Sequence, residues 1–204
     1  MLNIIVLAAG LSRRMGAENK LLLPFQEKTI LEVTLENLIQ ANLGEIVAVV
    51  GHEAERIKPL LKNYPLRIIE NFNYEKGMTT SIQTGIRALS NTEMDFMICL
   101  SDMPLITSDE YSFLKKAFLE YKKEDEKAIV VPFFKGERGN PVVFSEFYKN
   151  VFLKLQNTAL SESLREGGKS ILKAYQNHVY KVEMPSDSIL KDADTPEDYQ
   201  RLLG

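Results

Sequence analysis

Ala8-Ala9-Gly10, Ser12, Arg13, Arg14, Gly16 and Lys20 follow directly on the apolar run Ile4-Ile5-Val6-Leu7. Small residues at Ala8, Ala9 and Gly10 let a backbone come close to a ligand. Successive N–H groups in a tight turn form a concavity that suits an anion. Ser12 adds a hydroxyl, while Arg13, Arg14 and Lys20 add donors and positive charge. The joint reading is a phosphate cradle; a solvated polar loop is the plain alternative. The segment is not a Walker A loop, because Gly16 is followed by Ala17 and not by Lys-Ser/Thr. The dinucleotide pattern G-x-G-x-x-G is absent as well.

Asp102 stands after the apolar run that ends in Leu100-Ser101, with Met103-Pro104 behind it. A carboxylate there is placed to hold Mg²⁺ beside phosphates, or else to cap a turn. Asp192 and Asp194 alternate in Asp192-Ala193-Asp194-Thr195-Pro196, so an extended backbone puts both on one face. Their other reading is a cap for the last helix. Gly77-Met78-Thr79-Thr80-Ser81 opens a helix with hydroxyls in its first turn, a setting for a base or a phosphate. Met78 suits the core or the ligand equally. Gly136-Glu137-Arg138-Gly139-Asn140-Pro141 is a shaped turn, either a hairpin or the wall that receives a second substrate.

These residues need strands to carry them. Apolar, β-branched runs predict strands at Asn3–Ala8, Glu45–Val50, Leu66–Glu70, Phe96–Leu100, Ile129–Pro132, Val142–Phe144 and Val179–Glu183. Helical periods predict helices over Thr29–Ala41, Glu53–Leu61, Gly77–Leu89 and Ser108–Lys123, and one starting at Pro196 with Thr195 as its cap. Alternation of this kind predicts an α/β fold: an open, mostly parallel, twisted sheet with helices on both faces, three layers in all. Ligands bind beyond the carboxyl ends of such strands. Ala8–Lys20, Val50-Gly51-His52, Glu70-Asn71-Phe72-Asn73 with Glu75–Ser81, Ser101–Pro104 and Phe133–Pro141 are therefore expected at one rim. His52 is read as facing the pocket and His178 as structural.

The 204 residues are read as a single domain, 1–204, with a nucleotide-binding part at about 1–105 and an acceptor-binding part at about 106–204. Net charge is −3 and no long basic run occurs, so neither nucleic acid nor an acidic membrane surface is an expected partner. The single cysteine, Cys99, lies in an apolar strand run and is read as core. The first apolar run has no basic segment before it, and no apolar stretch is long enough to span a bilayer. A cytoplasmic location is the expectation.

Leu7-Ala8-Ala9-Gly10-Leu11-Ser12-Arg13-Arg14-Met15-Gly16 with Lys20 resembles the opening signature of nucleotidyltransferases. Within them it is similar to the group that includes molybdenum cofactor cytidylyltransferase. The likeness continues through Asn73, Gly77-Met78, Ser81-Ile82 and Gly85, then Asp102-Met103-Pro104, then Arg138-Gly139-Asn140-Pro141, then Asp192 and Asp194-Thr195-Pro196. The resemblance implies a Rossmann-like fold and transfer of CMP from CTP to molybdopterin, with pyrophosphate leaving. It implies that Arg14, Lys20 and Asp102 are catalytic. Leu7, Ala8, Ala9, Gly10, Ser12, Gly51, Asn73, Gly77, Met78 and Ser81 would bind nucleotide, with Arg138, Gly139, Asn140 and Pro141 on the acceptor. Asp102 and Asp194, with Asp192 beside them, would hold Mg²⁺ or Mn²⁺. A molybdenum hydroxylase or its chaperone is the implied protein partner. Ala9, where related guanylyltransferases carry a second glycine, favours CTP by the same resemblance. The stretch Leu164–Ser170 departs from the family's Gly-Asp-containing pattern.

Overall fold

Six consecutive buried residues make β1 (Asn3–Ala8) an interior strand of the sheet. A strand apolar on both faces must be covered on both, which forces helices above and below it. The computed structural model describes residues 1–16, 18–91, 93–155 and 167–204. Of the Leu164–Ser170 stretch, residues 164–166 lie outside those described.

The hairpin β2 (Pro24–Phe25) and β3 (Lys28–Thr29) precedes α1 (Ile30–Ala41). Then come β4 (Ile46–Val50), α2 (Ala54–Leu61), β5 (Arg67–Glu70), α3 (Met78–Ala88) and β6 (Phe96–Leu100). The second half holds α4 (Ser108–Glu124), β7 (Ile129–Phe134), β8 (Glu137–Arg138), β9 (Val142–Phe144) and α5 (Phe147–Lys154). It closes with α6 (Lys169–Ala174), β10 (Val179–Glu183) and α7 (Pro196–Leu203).

The sheet runs β10-β7-β9-β6-β1-β4-β5, with β8 hairpinned onto β7. β1 is parallel to β4 and β6, β4 to β5, and β7 to β10. β9 is antiparallel to both β6 and β7, so these two remain parallel to each other across it. The fold is thus the three-layer, mostly parallel sheet that the alternation predicts. The inserted antiparallel β9 is the detail the alternation does not show.

Helices α1, α2 and α4 cover one face through Leu31, Leu35, Ile57, Tyr111 and Phe118. Helices α3, α5 and α6 cover the other through Ile82, Ile86, Phe152 and Ile171. Gly85 lets α3 lie close: a Cβ there would stand 2.5 Å from Ile5 Cγ2. Thr29, Thr107 and Thr195 each close a capping box, with Glu32, Glu110 and Asp198 respectively. Cys99 is buried, and burial pushes its thiol up. The β2–β3 hairpin, α5 and α6 are not among the predicted elements, while β8 makes with β7 the hairpin that is one reading of the Gly136–Pro141 turn. Two-residue strands carry no period, and the apolar start of α5 runs on from β9 with too little break to be told from strand. Among the described residues no helix is long and apolar enough to cross a membrane.

Candidate functional site

Parallel pairing brings the carboxyl ends of β1, β4, β5 and β6 to one rim. A cavity of about 470 Å³ opens there. Leu7, Ala9, Gly10, Arg14, Lys20, Gly77, Met78, Ser81, Asp102, Asp192 and Asp194 line it, with Arg13. All three cations of the loop, Arg13 among them, therefore face the ligand space. A Cβ on Gly10 would meet nothing within 4 Å, so the loop offers bare backbone to that space. Gly77 caps α3 at φ 119° and ψ 171°, a conformation open to glycine almost exclusively.

The other residues expected here lie behind or beside the cavity. Ala8 is in the core under the loop. Ser12 holds a left-handed turn (φ 48°), and its Oγ accepts from the Lys20 amide at 3.4 Å, so it shapes the loop. Gly51 backs the wall: a Cβ there would come 2.8 Å from both Ala9 Cβ and Tyr74 Cβ. Asn73 lines a neighbouring groove along α3. Arg138 and Asn140 line a recess of about 160 Å³ that shares Met78 and Leu100 with the main cavity. Gly139 packs on the Ile189 carbonyl, where a Cβ would stand at 2.4 Å, and Pro141 is buried behind it. His52 is not on the cavity wall, contrary to expectation. Its ring lies 6.0 Å from that of Tyr74, whose side chain occupies the wall instead. His178 is structural as expected, its Nδ1 bonded to Asp125 at 2.8 Å.

Glu75, Asn71 and Ser101 stand in segments expected at the rim, but the sequence assigns them no role; Tyr74, between Asn73 and Glu75, is passed over altogether. Tyr74 and Glu75 line the cavity. Asn71 is buried at the end of β5, and its Nδ2 donates to Thr80 Oγ1 and Ser81 Oγ, each at 2.9 Å. It thereby aims the first turn of α3. Ser101 Oγ donates to the Leu7 carbonyl at 2.7 Å and ties β6 to β1 at the rim.

One end of the cavity is an ion network. Lys20 Nζ donates to Asp102 Oδ2 and, at 2.5 Å, to Asp194 Oδ1. Arg14 donates to Asp194 Oδ2 at 2.5 Å from an exposed position. The Ala193 amide donates to the Asp102 carbonyl at 3.2 Å, which brings the 192–194 strap across the end of β6. Burial works against the Lys20 charge, yet Asp102 and then Asp194 outweigh it and hold its pKa above the ordinary lysine range. Burial also opposes the Asp194 charge, but Lys20 and Arg14 hold its pKa below the usual carboxylate value. Asp192 has no hydrogen-bond partner among the described residues. Burial, then Asp102 and Asp194, push it up to about 6.

Asp102, Asp192 and Asp194 each offer a carboxylate oxygen within 4.8 Å of the others. Hard oxygen donors gathered this way fit a divalent cation of the Mg²⁺ or Mn²⁺ kind.

Bare loop backbone at Gly10, the cations Arg13, Arg14 and Lys20, and three carboxylates share one strand-end cavity, a setting that suits phosphate groups. The chain belongs to the MobA-like NTP transferase domain family, whose model matches residues 4–179, and so is a nucleotidyltransferase. It is 29% identical over 200 residues to the molybdenum cofactor cytidylyltransferase of Escherichia coli K12, covering 97% of this chain and 93% of that one. It is 31% identical over 159 residues to a probable molybdenum cofactor guanylyltransferase of Methanosarcina acetivorans, covering 76% and 67%. Its fold matches the manganese complex of a Mycobacterium tuberculosis H37Rv protein at a TM-score of 0.74, with 20% identity and coverage of 99% and 97%.

Proposed function

We propose that the protein transfers CMP from CTP to the terminal phosphate of molybdopterin, releasing pyrophosphate and forming molybdopterin cytosine dinucleotide. Near full-length likeness to the E. coli cytidylyltransferase carries this reading. The cavity fits it. Gly10, Ala9 and Leu7 offer close backbone to the nucleotide, Gly77 and Ser81 bound it on the α3 side, and Arg13, Arg14 and Lys20 meet the triphosphate. Arg138 and Asn140, in the adjoining recess, receive the acceptor.

An oxygen of the acceptor phosphate attacks the α-phosphorus of the nucleotide, and the bond to the bridging oxygen of the β-phosphate breaks. The protein supplies no nucleophile; it aligns the two phosphates and offsets their charge. Lys20 and Arg14 neutralise the departing pyrophosphate. A divalent ion held by Asp102 and Asp194, with Asp192 beside them, would add charge neutralisation at the reacting phosphate. The manganese complex of the M. tuberculosis protein of the same fold supports an ion of that kind. The product's consumer on this reading is a molybdenum hydroxylase or its chaperone, in the cytoplasm.

Guanylyl transfer is the second reading, favoured by the likeness to the M. acetivorans protein and opposed by Ala9 in the loop. The test is pyrophosphate release from each nucleoside triphosphate with Mg²⁺ and molybdopterin. Release with CTP is expected. Release with GTP in its place would move the assignment to guanylyl transfer, and release only with a sugar or alcohol phosphate would change the acceptor. Pterin binding with no release would make the chain a maturation factor. Lys20→Ala should raise the nucleotide KM and lower kcat together.

A further inference from the structure

The carboxylates of the ion network already hold a cation of the chain's own. Lys20 Nζ bridges Asp102 and Asp194, and its side chain is only 15% exposed. Asp102 and Asp194 are two of the three groups whose oxygens could take a divalent ion. A divalent ion drawn to these oxygens would stand within a few ångströms of the ammonium, where like charges repel strongly in a partly buried setting. Lys20 and a divalent ion therefore compete for one acidic face.

We propose that Lys20 is an internal counter-ion that keeps this face closed to free divalent ions until nucleotide phosphates draw the ammonium away. The backbone need not move. Lys20 starts a 3₁₀ turn whose cap, Asn19, is buried and accepts from the Leu21 amide at 3.1 Å. Only the four-carbon stem has to swing, and Lys20 itself lines the cavity in which the phosphates would lie. Ion and nucleotide then bind with positive coupling, and the ion enters with the nucleotide instead of before it. Arg14 also touches Asp194, but its side chain is 66% exposed and reaches no other carboxylate of the cluster, so it screens the face without occupying it.

This inference rests on the metal assignment made above, and its test needs neither molybdopterin nor turnover. Mn²⁺ is titrated into the full chain without nucleotide, and free Mn²⁺ is read by electron paramagnetic resonance. Lys20→Met should bind Mn²⁺ at least about 10-fold more tightly than the wild type, a difference expected for removal of one close, partly buried like charge. Arg14→Met should change the affinity by less than about 3-fold, as for an exposed ion pair. No gain in Lys20→Met, or an equal gain in Arg14→Met, overturns the counter-ion role. Adding Asp102→Asn to Lys20→Met should remove the gain; if the gain survives, the ion binds elsewhere and the metal assignment itself falls. Lys20→Gln gives the same readout should Lys20→Met fail to fold.

Discussion

Two charged clusters cap the opposite ends of one sheet, and they are built differently. At the amino end, Lys122 donates to Asp95 and, at 2.7 Å, to Glu146, whose own amide donates to Asp95 at 3.1 Å. Lys149, 4% exposed, donates to the carbonyls of Met94 and Asn91. Every charge there meets a partner, and the cluster pins β6, α4, β9 and α5 together. At the carboxyl end, Arg14, Asp194, Lys20 and Asp102 form a chain of contacts, but Asp192 is left without a hydrogen bond and the cluster borders a cavity. A matched cluster holds a fold; one with an unmatched carboxylate beside open space is built to receive something.

The largest effect should come from Asp102→Asn. Loss of charge stabilisation at the transition state predicts a kcat about 10²-fold lower or more, with little change in melting temperature. Near-normal turnover would take Asp102 out of the reaction and weaken the contrast between the rims. Lys149→Met should do the reverse. It takes a charged donor from the part-buried carbonyls of Met94 and Asn91, of which Asn91 keeps Asn3 Nδ2 at 2.7 Å, a cost of about 1–2 kcal/mol in denaturant unfolding, and leaves kcat as it was.

The two ends should also differ in the sign of their pH dependence. Asp192 is raised to about 6 by burial and by Asp102 and Asp194, so the folded state holds a proton that the unfolded state has released. Its contribution to stability is therefore lost as pH rises from about 4 to about 6. In a chelating buffer, Asp192→Asn should be about 1–2 kcal/mol more stable than the wild type above that window and level with it below, the figure being reduced for solvent screening. Glu146 runs the other way. Its hydrogen bond with Asp95, which is the member of the pair that takes the proton, and then Lys122 hold it below the usual carboxylate range, against the burial that opposes its charge. Its contribution is present above the ordinary glutamate pKa of about 4.3 and lost as pH falls below it through the lowered folded value. Glu146→Gln should cost about 1 kcal/mol at neutral pH, a screened value for a partly exposed group, with the difference closing in acid. Equal pH slopes in the two variants would dissolve the distinction between the rims.

What the sequence determined was local. β1, β6, β9 and β10 have the bounds their apolar runs predict, and the Thr29, Thr107 and Thr195 caps sit where hydroxyl and acid are three residues apart. Such features depend on backbone hydrogen bonds and side-chain period within a few residues, so the linear order carries them. The gathering of small residues and cations after β1 is legible for the same reason, and the loop does line the cavity through Ala9, Gly10, Arg13, Arg14 and Lys20. Tertiary structure decided the rest. The antiparallel place of β9 between β6 and β7 follows from how apolar strands share a sheet, and no residue of Val142–Phe144 encodes its direction. Tyr74 took the wall that His52 was expected to face, because β4 and β5 end side by side there. Lys20 meets Asp102 and Asp194 only because the sheet and the 192–194 strap close sequence gaps of 82 and 174 residues. Contacts that long are specified by the packing of the whole core, and the same packing that assembles the acidic face is what sets Lys20 against it.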